Sequence, residues 1–391
     1  MHIGHFASLS WEPGGVANYI RRVAEAQRQR GHHVWILDDH PPADPRLARG
    51  DEFFVTNRAD LVFRAEQLEL DLIHGHTTLG DEADLPLAWV RTIHGHQPYC
   101  PATTKFLERR GRPCERSFHL ASCTWGHLVD HCGSARPTRI SSDFRALEKD
   151  RRALEQVPLI AVSGFIGQQL LAGGFRSDRI ATVLNPCPDL PSLPEQQLDP
   201  AGNFVFLGRL TKAKGILWLL DAFARVRQTA VLEVLGDGPC GAAARDLAKR
   251  LGLENRVRFH GWLEGVQLTE ILARASAVIV PSLWHDPCPL SALDAAARGR
   301  AVIATRVGGL PETALPGRNA ILVEPGDTRG LADAIDTLAG DPDLARRLGR
   351  GGRELALGPW RLDAHLDRLE ILYRQAMADK RGRYVARPGP V

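Results

Sequence analysis

The sequence lacks the features that would place it in a membrane, outside the cell or on nucleic acid. No apolar run reaches the roughly 18 residues that a membrane-spanning helix needs. The start, Met1–Phe6, has neither a basic segment nor a long apolar one, so we expect no signal peptide and a cytoplasmic protein. A net charge of +3 is too small to predict nucleic-acid binding. Composition leaves open a peripheral contact at the inner membrane surface, which needs only a basic amphipathic face.

Cysteine is sparse and odd in number. The seven cysteines do not predict a disulfide framework in a chain without an export signal. Four of them lie within 33 residues, at Cys100, Cys114, Cys123 and Cys132. Four thiols can hold a structural zinc ion, but these have no Cys-x2-Cys pair, which makes the metal signature weak. Reduced buried thiols or a disulfide remain the alternatives, and no cofactor is expected to be required.

The alternation of short apolar runs with helix-period stretches predicts a mostly parallel sheet covered by helices. With 391 residues, the chain is too long for one ordinary core and suits two α/β domains of roughly 180 residues each. A segment rich in proline and polar residues, 184–202, predicts the linker. We therefore expect two Rossmann-like, doubly wound parallel-sheet domains that face each other across a cleft.

The predicted boundaries follow from that pattern. The first domain spans residues 1–187 and carries a cysteine-rich insert at 98–142, and the second spans 188–358. A helix at 359–380 is expected to pack back on the first domain, followed by a disordered tail at 381–391. In the second half, the clearest predicted strands are 204–207, 231–235, 257–259, 277–280, 301–304 and 320–323, and the predicted helices are 214–227, 240–252, 265–275, 289–298 and 328–339.

Three loops that follow predicted strands have the composition of ligand-binding loops. Gly14 and Gly15 precede a helix, where the backbone can approach an anionic ligand closely, although a glycine pair by itself equally predicts a tight turn. Arg209 and Lys214 follow the strand that ends at Gly208. Two cations at the carboxyl end of a buried strand suit a diphosphate, while a solvated basic loop is the plainer alternative.

The third loop is the segment from Pro281 to Gly299, in which an acidic loop leads into a helix. Proline is favoured in a first helical turn, and the free N–H groups of that turn can bind a phosphate. Asp286 precedes the helix, and Asp294 lies one turn inside it, where it can reach a ribose. The alternative is that Asp286 only caps the helix and Asp294 is a surface acid.

Together these segments resemble the retaining glycosyltransferases of family 4, which have the GT-B fold. The likeness runs from Met1 to about Arg374 and is carried by segments that are specific only in combination. They are Pro13-Gly14-Gly15-Val16, Gly208-Arg209 with Lys214-Gly215, Gly236-Asp237-Gly238-Pro239, Phe259-His260-Gly261-Trp262, the pair Asp286 and Asp294, and Val307-Gly308-Gly309-Leu310-Pro311-Glu312.

The resemblance implies a role for each matching residue. The two catalytic cations, Arg209 and Lys214, would hold the donor diphosphate, and Asp286 would hydrogen-bond the donor sugar. His94, at the end of a first-domain strand, would lie near the anomeric carbon, where it would position the sugar and stabilise charge. The remaining donor-binding residues would be Gly14, Gly15, Gly208, Gly236, Gly238, Gly261, Trp262, Leu263, Pro289, Leu290, Ser291 and Asp294.

Two departures from the family pattern bear on the donor site. The family usually has glutamate at both acidic positions, and this chain has Asp286 and Asp294, each one methylene shorter. Relatives often have His-Asp where this chain has His94-Gly95. The pattern predicts a metal-independent hexosyltransferase acting on a UDP- or GDP-sugar and on a hydroxyl acceptor, which would be a glycan, a lipid-linked intermediate or a small metabolite.

Two other functions remain open at this point. A nucleotide-sugar epimerase on the same fold would need no acceptor. A non-catalytic nucleotide-sugar binder would explain the two shortened acids. The insert is expected to shape acceptor specificity.

Overall fold

The computed structural model describes residues 1–8, 10, 14–41, 50–79, 84–188, 190 and 202–385, with side chains through residue 380. These residues form two compact units. The first consists of Met1–Thr103, Pro137–Asn185 and the segment from Leu362 onward, and the second consists of Thr104–Arg136 and the segment from Pro186 to Arg361. No helix among the described residues combines the length and the apolar character needed to cross a bilayer.

Within the described residues the chain forms fifteen strands and thirteen α-helices. The strands are β1 His2–Ala7, β2 His33–Asp38, β3 Glu52–Phe54, β4 Leu72–Gly75, β5 Ala88–Ile93, β6 Phe106–Leu107, β7 Arg112–Pro113, β8 Leu159–Ala161, β9 Ile180–Thr182, β10 Asn203–Leu207, β11 Val231–Leu235, β12 Val257–Gly261, β13 Ala277–Val280, β14 Ala301–Thr305 and β15 Ala320–Val323. The helices are α1 Gly15–Gln29, α2 Arg58–Gln67, α3 Leu120–Leu128, α4 Pro137–Leu154, α5 Gly164–Ala172, α6 Ile216–Phe223, α7 Gly241–Arg250, α8 Gly265–Arg274, α9 Leu290–Ala297, α10 Leu310–Thr313, α11 Thr328–Gly340, α12 Pro342–Leu357 and α13 Leu362–Val385.

The first unit is built on a parallel sheet of seven strands in the order β3-β2-β1-β4-β5-β8-β9. Helices α2 and α5 begin at side-chain caps, where Asn57 and Ser163 accept hydrogen bonds from backbone N–H groups of the first turn. The last helix, α13, buries Leu369 and Tyr373 in the same core as Ile20 of α1. The C-terminal helix is therefore part of the first unit.

The second unit is built on a parallel sheet of six strands in the order β12-β11-β10-β13-β14-β15. Alternate residues of β10 enter two separate cores, because successive side chains of a strand point to opposite faces. Phe204 and Phe206 pack with helices α6 and α11 on one face, while Val205 packs with α9 on the other. Both faces are covered, which is the rule for a parallel sheet.

The insert differs from its predicted place. Residues Thr104–Arg136, with the β6–β7 hairpin and helix α3, group with the second unit rather than with the first. The hairpin and α3 are joined through Asp130, which is buried and accepts hydrogen bonds from Arg110 at 2.6 Å and from Arg116 at 2.7 Å. Sequence spacing carries no information on which domain an insert packs against, because that depends on long-range contacts.

Most predicted strands and helices of the second half agree with the structure to within a few residues. Helix α12 was missed, although its start is readable, since Asp341 caps it by accepting from the N–H of Leu344 and Pro342 occupies the first turn. Helix α13 continues to Val385, five residues beyond the predicted end. The rest of the predicted disordered tail, 386–391, and most of the predicted linker, at 189 and 191–201, lie outside the described residues.

Candidate active site

The candidate site of the second unit lies where its strand order changes direction. Strands β11 and β12 lie to one side of β10, and β13 to β15 lie to the other. In open α/β sheets, ligands bind beyond the carboxyl ends of the two strands at such a switch point. The loops that follow β10 and β13 are the two that carry Lys214 and Asp286.

An ion pair joins these two loops. The Nζ atom of Lys214 lies 2.5 Å from Oδ2 of Asp286, which also accepts a hydrogen bond from the Ser282 hydroxyl at 2.9 Å. Asp286 is 3% exposed, and its carbonyl accepts from the N–H of Gly309 at 2.8 Å. Lys214 is partly exposed. The carboxylate is therefore fixed and mostly covered, while the lysine side chain remains partly exposed.

Close backbone packing brings the two loops together. The N–H of Leu283 donates to the carbonyl of Ala213 at 2.7 Å. Gly215 has φ 76°, a conformation that favours glycine, and a Cβ atom there would overlap the carbonyl oxygen of Pro281. The neighbouring loop thus requires a glycine at 215. This close packing places Lys214 beside the loop that follows β13.

The second predicted cation, Arg209, lies directly after Gly208 at the end of β10 and is exposed. Within the part of the chain that the structure describes, its guanidinium group makes no hydrogen bond or ion pair. Arg209 therefore offers a solvated cation on the same loop as Lys214, with which it can bind phosphate oxygens.

The glycines at the carboxyl ends of β10, β11 and β12 pack against one another. Gly208 donates to the carbonyl of Leu235 at 3.0 Å, and Gly236 donates to the carbonyl of Gly261 at 2.7 Å. A Cβ atom on Gly236 would overlap the carbonyl oxygen of Gly208, and one on Gly238 would lie 2.7 Å from the carbonyl oxygen of Leu210. The predicted reason for Gly236 and Gly238 was approach to a nucleotide, but packing of adjacent loops already requires them.

Helix α9 supplies the third element of the site. It begins after Pro289, so the N–H groups of Leu290 and Ser291 have no acceptor within the helix. Asp294, one turn on, forms an ion pair with Arg298 at 3.3 Å across one helical turn. The helix thus begins with N–H groups that lack an acceptor within the helix, followed by an acid that a neighbouring arginine partly neutralises.

Trp262 and Leu263, predicted to contact the base, follow β12. The indole of Trp262 is 47% exposed and donates to Glu264 at 2.9 Å, and Leu263 is half-buried. Gly14 and Gly15 belong to the first unit, where α1 begins at Gly15. Pro13, which precedes them in the predicted motif, lies outside the described residues.

His94 follows β5 in the first unit and is half-buried. Its Nε2 atom lies 3.0 Å from Nδ1 of His76. Burial, together with the positive charge of Arg91, lowers the pKa of the His94 imidazole to about 3. The side chain is therefore neutral at pH 7, and it can position a sugar by hydrogen bonds but brings no positive charge of its own.

Among the described residues, the four clustered cysteines are not grouped as metal ligands. Cys100, Cys114, Cys123 and Cys132 form no disulfide with one another, and in the described part of the chain they contribute to no group of three or more neighbouring metal-ligating atoms. The zinc interpretation thus has no geometric support. A tetrahedral zinc site needs four ligand atoms around one point.

The insert instead contacts the donor-side loops. Glu115 lies 3.1 Å from Nε2 of His285, and Glu108 lies 3.2 Å from Nζ of Lys212. Burial lowers the pKa of His285, although Glu115 opposes that change. Neither this connection nor the role of Ser282 is predictable from the sequence, because nothing in the spacing links residue 115 to residue 285.

Comparison with known proteins agrees with the fold and with the motifs. A Glycosyltransferase Family 4 model matches residues 13–188, and a Glycosyl transferases group 1 model matches residues 201–341. A glycogen synthase of Mycobacterium tuberculosis is 32% identical over 155 residues, which is 39% of this chain and 37% of that protein. The chain thus matches well under half the length of this relative.

Solved structures match along nearly the whole chain. Sucrose-phosphate synthase from Thermosynechococcus elongatus has a TM-score of 0.73 at 22% identity and covers 96% of this chain and 99% of its own. HepE of Anabaena, in complex with UDP and glucose, has a TM-score of 0.72 at 18% identity over 96% of this chain and 100% of its own. At these identities the likeness is one of fold. Because the two family models between them span most of the chain and these structures share its fold, the chain belongs to family 4 of the glycosyltransferases, with the GT-B fold.

Proposed function

We propose that the chain transfers a hexose-type sugar from a UDP- or GDP-sugar to a hydroxyl acceptor, with retention of the anomeric configuration and without a divalent metal. The observation that carries this proposal is the ion pair between Lys214 and Asp286 at the switch point of the second unit. It joins a phosphate-binding cation to a sugar-binding acid at the edge of the sheet where ligands bind.

Lys214, Arg209 and the start of α9 would take the place of a metal ion. The ammonium group of Lys214 has three N–H donors, and Asp286 accepts one of them. The others can bind the diphosphate together with Arg209 and the free N–H groups of α9. Fixed donors of this kind stabilise the charge that grows on the departing phosphate.

Asp286 would orient the donor sugar. Its Oδ2 atom already accepts from Lys214 and from Ser282. The other oxygen, Oδ1, is therefore the one available to accept from a sugar hydroxyl. Asp294 would bind the ribose hydroxyls, and Trp262 and Leu263 would contact the base.

Retention follows from substitution on one face of the sugar. The bond from the anomeric carbon to the phosphate oxygen breaks, and the bond to the acceptor oxygen forms on the same face. The acceptor proton moves to the leaving phosphate oxygen. His94, as a neutral imidazole, would hydrogen-bond a sugar hydroxyl and hold the ring for this step.

The relatives bear on the choice of donor and acceptor. HepE was solved with UDP and glucose, which favours a UDP-sugar among the two candidates. The matched glycogen synthase and sucrose-phosphate synthase differ in the acceptors that their names imply. We therefore assign only the donor from the relatives. The acceptor is a sugar or polyol hydroxyl, which could belong to a glycoconjugate, a polysaccharide or a small metabolite.

Nucleotide binding is the first test. Thermal unfolding would be followed with UDP, GDP, ADP and CDP, each at high excess. A ligand at a hundredfold excess over its Kd stabilises the folded protein by about 2.7 kcal/mol. We expect a clear shift with UDP or GDP and little with CDP. No shift with any nucleoside diphosphate would overturn the donor assignment.

Transfer is then measured with the sugars of the nucleotide that binds. We expect slow donor hydrolysis alone, faster transfer with an acceptor, full activity in a chelator and an unchanged anomeric configuration by NMR. An isomerised donor formed without acceptor would identify an epimerase. Binding without turnover across the acceptor panel would identify a nucleotide-sugar binder, and inverted product would refute retention.

A further inference from the structure

A continuous chain of buried hydrogen bonds ends at His94. It joins residues from strands β1, β4 and β5 to helices α1 and α13, all in the first unit. In order, the contacts are Thr92 Oγ1 to His74 Nε2 at 2.6 Å, His74 Nδ1 to Tyr373 OH at 2.6 Å, Tyr373 OH to Gln27 Nε2 at 3.1 Å, Gln27 Oε1 to His5 Nε2 at 2.8 Å, His5 Nδ1 to His76 Nε2 at 2.9 Å, and His76 Nδ1 to His94 Nε2 at 3.0 Å.

Apart from His94, the members of this hydrogen-bonded chain have little or no contact with water. His5, His74, Gln27 and Tyr373 are fully buried, and His76 is 7% exposed. A buried polar group without a partner is costly, so each ring nitrogen needs a donor or an acceptor. The chain supplies a partner to every ring nitrogen of His5, His74 and His76.

The histidines of the chain are neutral. Burial lowers the pKa of His5 to about 4 and those of His74 and His76 well below the usual value. The buried guanidinium group of Arg91, on β5, adds repulsion against a positive charge on His74, His76 and His94. Among the titratable groups facing His94, His365 also opposes its protonation. A neutral imidazole has one N–H donor and one acceptor nitrogen, so the chain must run in one direction.

The amide of Gln27 sets that direction. Its oxygen faces His5 and its NH2 group faces the hydroxyl of Tyr373. The Nε2 atom of His5 must therefore carry the proton, which leaves its Nδ1 as an acceptor. Nδ1 of His5 therefore accepts from Nε2 of His76, and Nδ1 of His76 in turn accepts from Nε2 of His94.

On the other side of Gln27 the same direction holds. Tyr373 accepts from Gln27 and donates its hydroxyl proton to Nδ1 of His74. His74 then donates from Nε2 to the hydroxyl of Thr92. Every contact in the chain thus has one donor and one acceptor, with no conflict between neighbours.

From this geometry we infer that the chain holds His94 as the tautomer with the proton on Nε2, so that Nδ1 is a hydrogen-bond acceptor. His5, His76 and Gln27 are then positioning residues for His94. Nδ1 of His94 has no hydrogen-bond partner among the described residues, and the ring is only half-buried. Among the ring nitrogens of His5, His74, His76 and His94, it is the one that the hydrogen-bonded network leaves available to a hydroxyl group of a ligand.

Tyr19 supports the ring from the side. It meets the His94 ring edge-on, with centroids 4.9 Å apart, and its hydroxyl lies 2.9 Å from Nε2 of His365. Nδ1 of His365 faces the carbonyl of Leu184 at 2.9 Å and must donate to it, so Tyr19 donates to His365. The hydroxyl proton of Tyr19 is thereby committed to His365.

A metal ion is the competing interpretation of the same cluster. Ring nitrogens of His5, His74 and His76 lie within 4.8 Å of one another, close enough to share an ion. All six of their ring nitrogens are already hydrogen-bonded, and a ligand nitrogen must present its lone pair to the metal. The contact between Nδ1 of His5 and Nε2 of His76 would have to break, so the hydrogen-bonded chain accounts for the geometry better.

The role of Nδ1 as an acceptor for a sugar hydroxyl rests on the proposed function, whereas the tautomer itself does not. The test is therefore spectroscopic. The full chain is labelled with nitrogen-15 in its histidine rings, and the His94 signal is identified by its loss in His94→Gln. We expect a protonated Nε2, an unprotonated Nδ1 and no titration between pH 5 and 8. Protonation at Nδ1, averaging of the two tautomers, or titration near pH 6.5 would overturn the inference.

The metal interpretation is tested on the same sample. Added zinc should leave the Nε2 proton signals of His5 and His76 in place. Loss of these signals at stoichiometric zinc would show that the three histidines bind a metal ion and would overturn the hydrogen-bonded chain. The variant His76→Gln should let the His94 tautomers average while the protein stays folded. The exposed His33 provides the control, His33→Gln, which should leave the His94 signal unchanged.

Kinetics then separates the two proposals. His76→Gln should lower kcat for transfer about tenfold, with the donor KM unchanged; this is the low end of the loss when the hydrogen-bond partner that orients a metal-ligating histidine is removed. A fixed tautomer in a protein without transferase activity would refute the proposed function alone. A transferase whose His94 tautomers average in the native protein would refute the inference alone.

Discussion

The Nζ atom of Lys214 lies 2.5 Å from Oδ2 of Asp286, and this ion pair connects the loops after β10 and β13. The two residues are 72 positions apart, and neighbouring parallel strands bring their loops to one edge of the sheet. The pair places a cation next to an acid whose second oxygen, Oδ1, makes no hydrogen bond among the described residues. That arrangement is the basis of the first two predictions.

Replacing Asp286 by the glutamate usual in the family should destabilise the protein. Asp286 is 3% exposed and held by Ser282 and Lys214, so an extra methylene has no room and costs about 1–3 kcal/mol. Chemical unfolding of Asp286→Glu measures the change. Asp294→Glu, on the partly exposed face of α9, is the control and should change stability by less than about 0.5 kcal/mol. Equal stability of Asp286→Glu and the parent would show that the loop has spare volume.

Lys214→Met should lower kcat/KM for the donor sugar about 100- to 1,000-fold, the usual loss when one fixed charge-stabilising donor is removed. Lys212→Met is the matched control. Lys212 is two residues away and pairs with Glu108 of the insert, and its removal should change kcat/KM less than threefold. Steady-state kinetics with a UDP-sugar gives both values. A similar loss in both variants would mean that the loop acts through its overall charge.

Acid should destabilise the first unit steeply because of its neutral histidines. The folded pKa values of His5, His94 and His365 are lowered to about 4, 3 and 4, from 6.5 in the unfolded chain. Between pH 6.5 and 4 the unfolded state binds more protons, so stability is retained above pH 6.5 and is lost as the pH falls. The slope is about 1.4 kcal/mol per pH unit for each such histidine.

The variant His94→Gln isolates one histidine. The free energy of unfolding, measured from pH 7 to pH 4, should fall less steeply than in the parent by about 1.4 kcal/mol per pH unit. His33→Gln, which removes an exposed ring, should leave the slope unchanged. Parallel curves for the parent and His94→Gln would mean that His94 has the same pKa in the folded and the unfolded protein.

Asp130→Asn should loosen the insert. The carboxylate of Asp130 is 1% exposed and holds Arg110 and Arg116 together, and hydrogen bonds to a charged group contribute about 1.5–3 kcal/mol. We expect a loss of about 2 kcal/mol by thermal unfolding, with faster proteolysis between residues 104 and 136. Asp343→Asn, at an exposed ion pair with Arg346, should cost at most about 1 kcal/mol. Unchanged proteolysis of the insert would show that other contacts hold it.

The strands and the loops after them could be predicted because their signals are local. The apolar runs that form β10 and β13 are four to five residues long and end at Gly208 and Pro281, where chain direction changes. Arg209, Lys214 and Asp286 follow those ends, so their place at the edge of the sheet follows from sequence order. Helix α12 was missed although its cap at Asp341 is equally local.

By itself, the sequence determined the doubly wound architecture and the family motifs, because periodicity, turn chemistry and capping act over a few neighbouring residues. Only the tertiary structure decided that the insert contacts His285 and that Gln27 and Tyr373, 346 positions apart, orient a chain of histidines. Those contacts depend on which buried polar atoms meet when helices pack on a sheet. A hydrogen-bond partner is chosen by distance and direction in space, and neither is encoded in the spacing of residues along the chain.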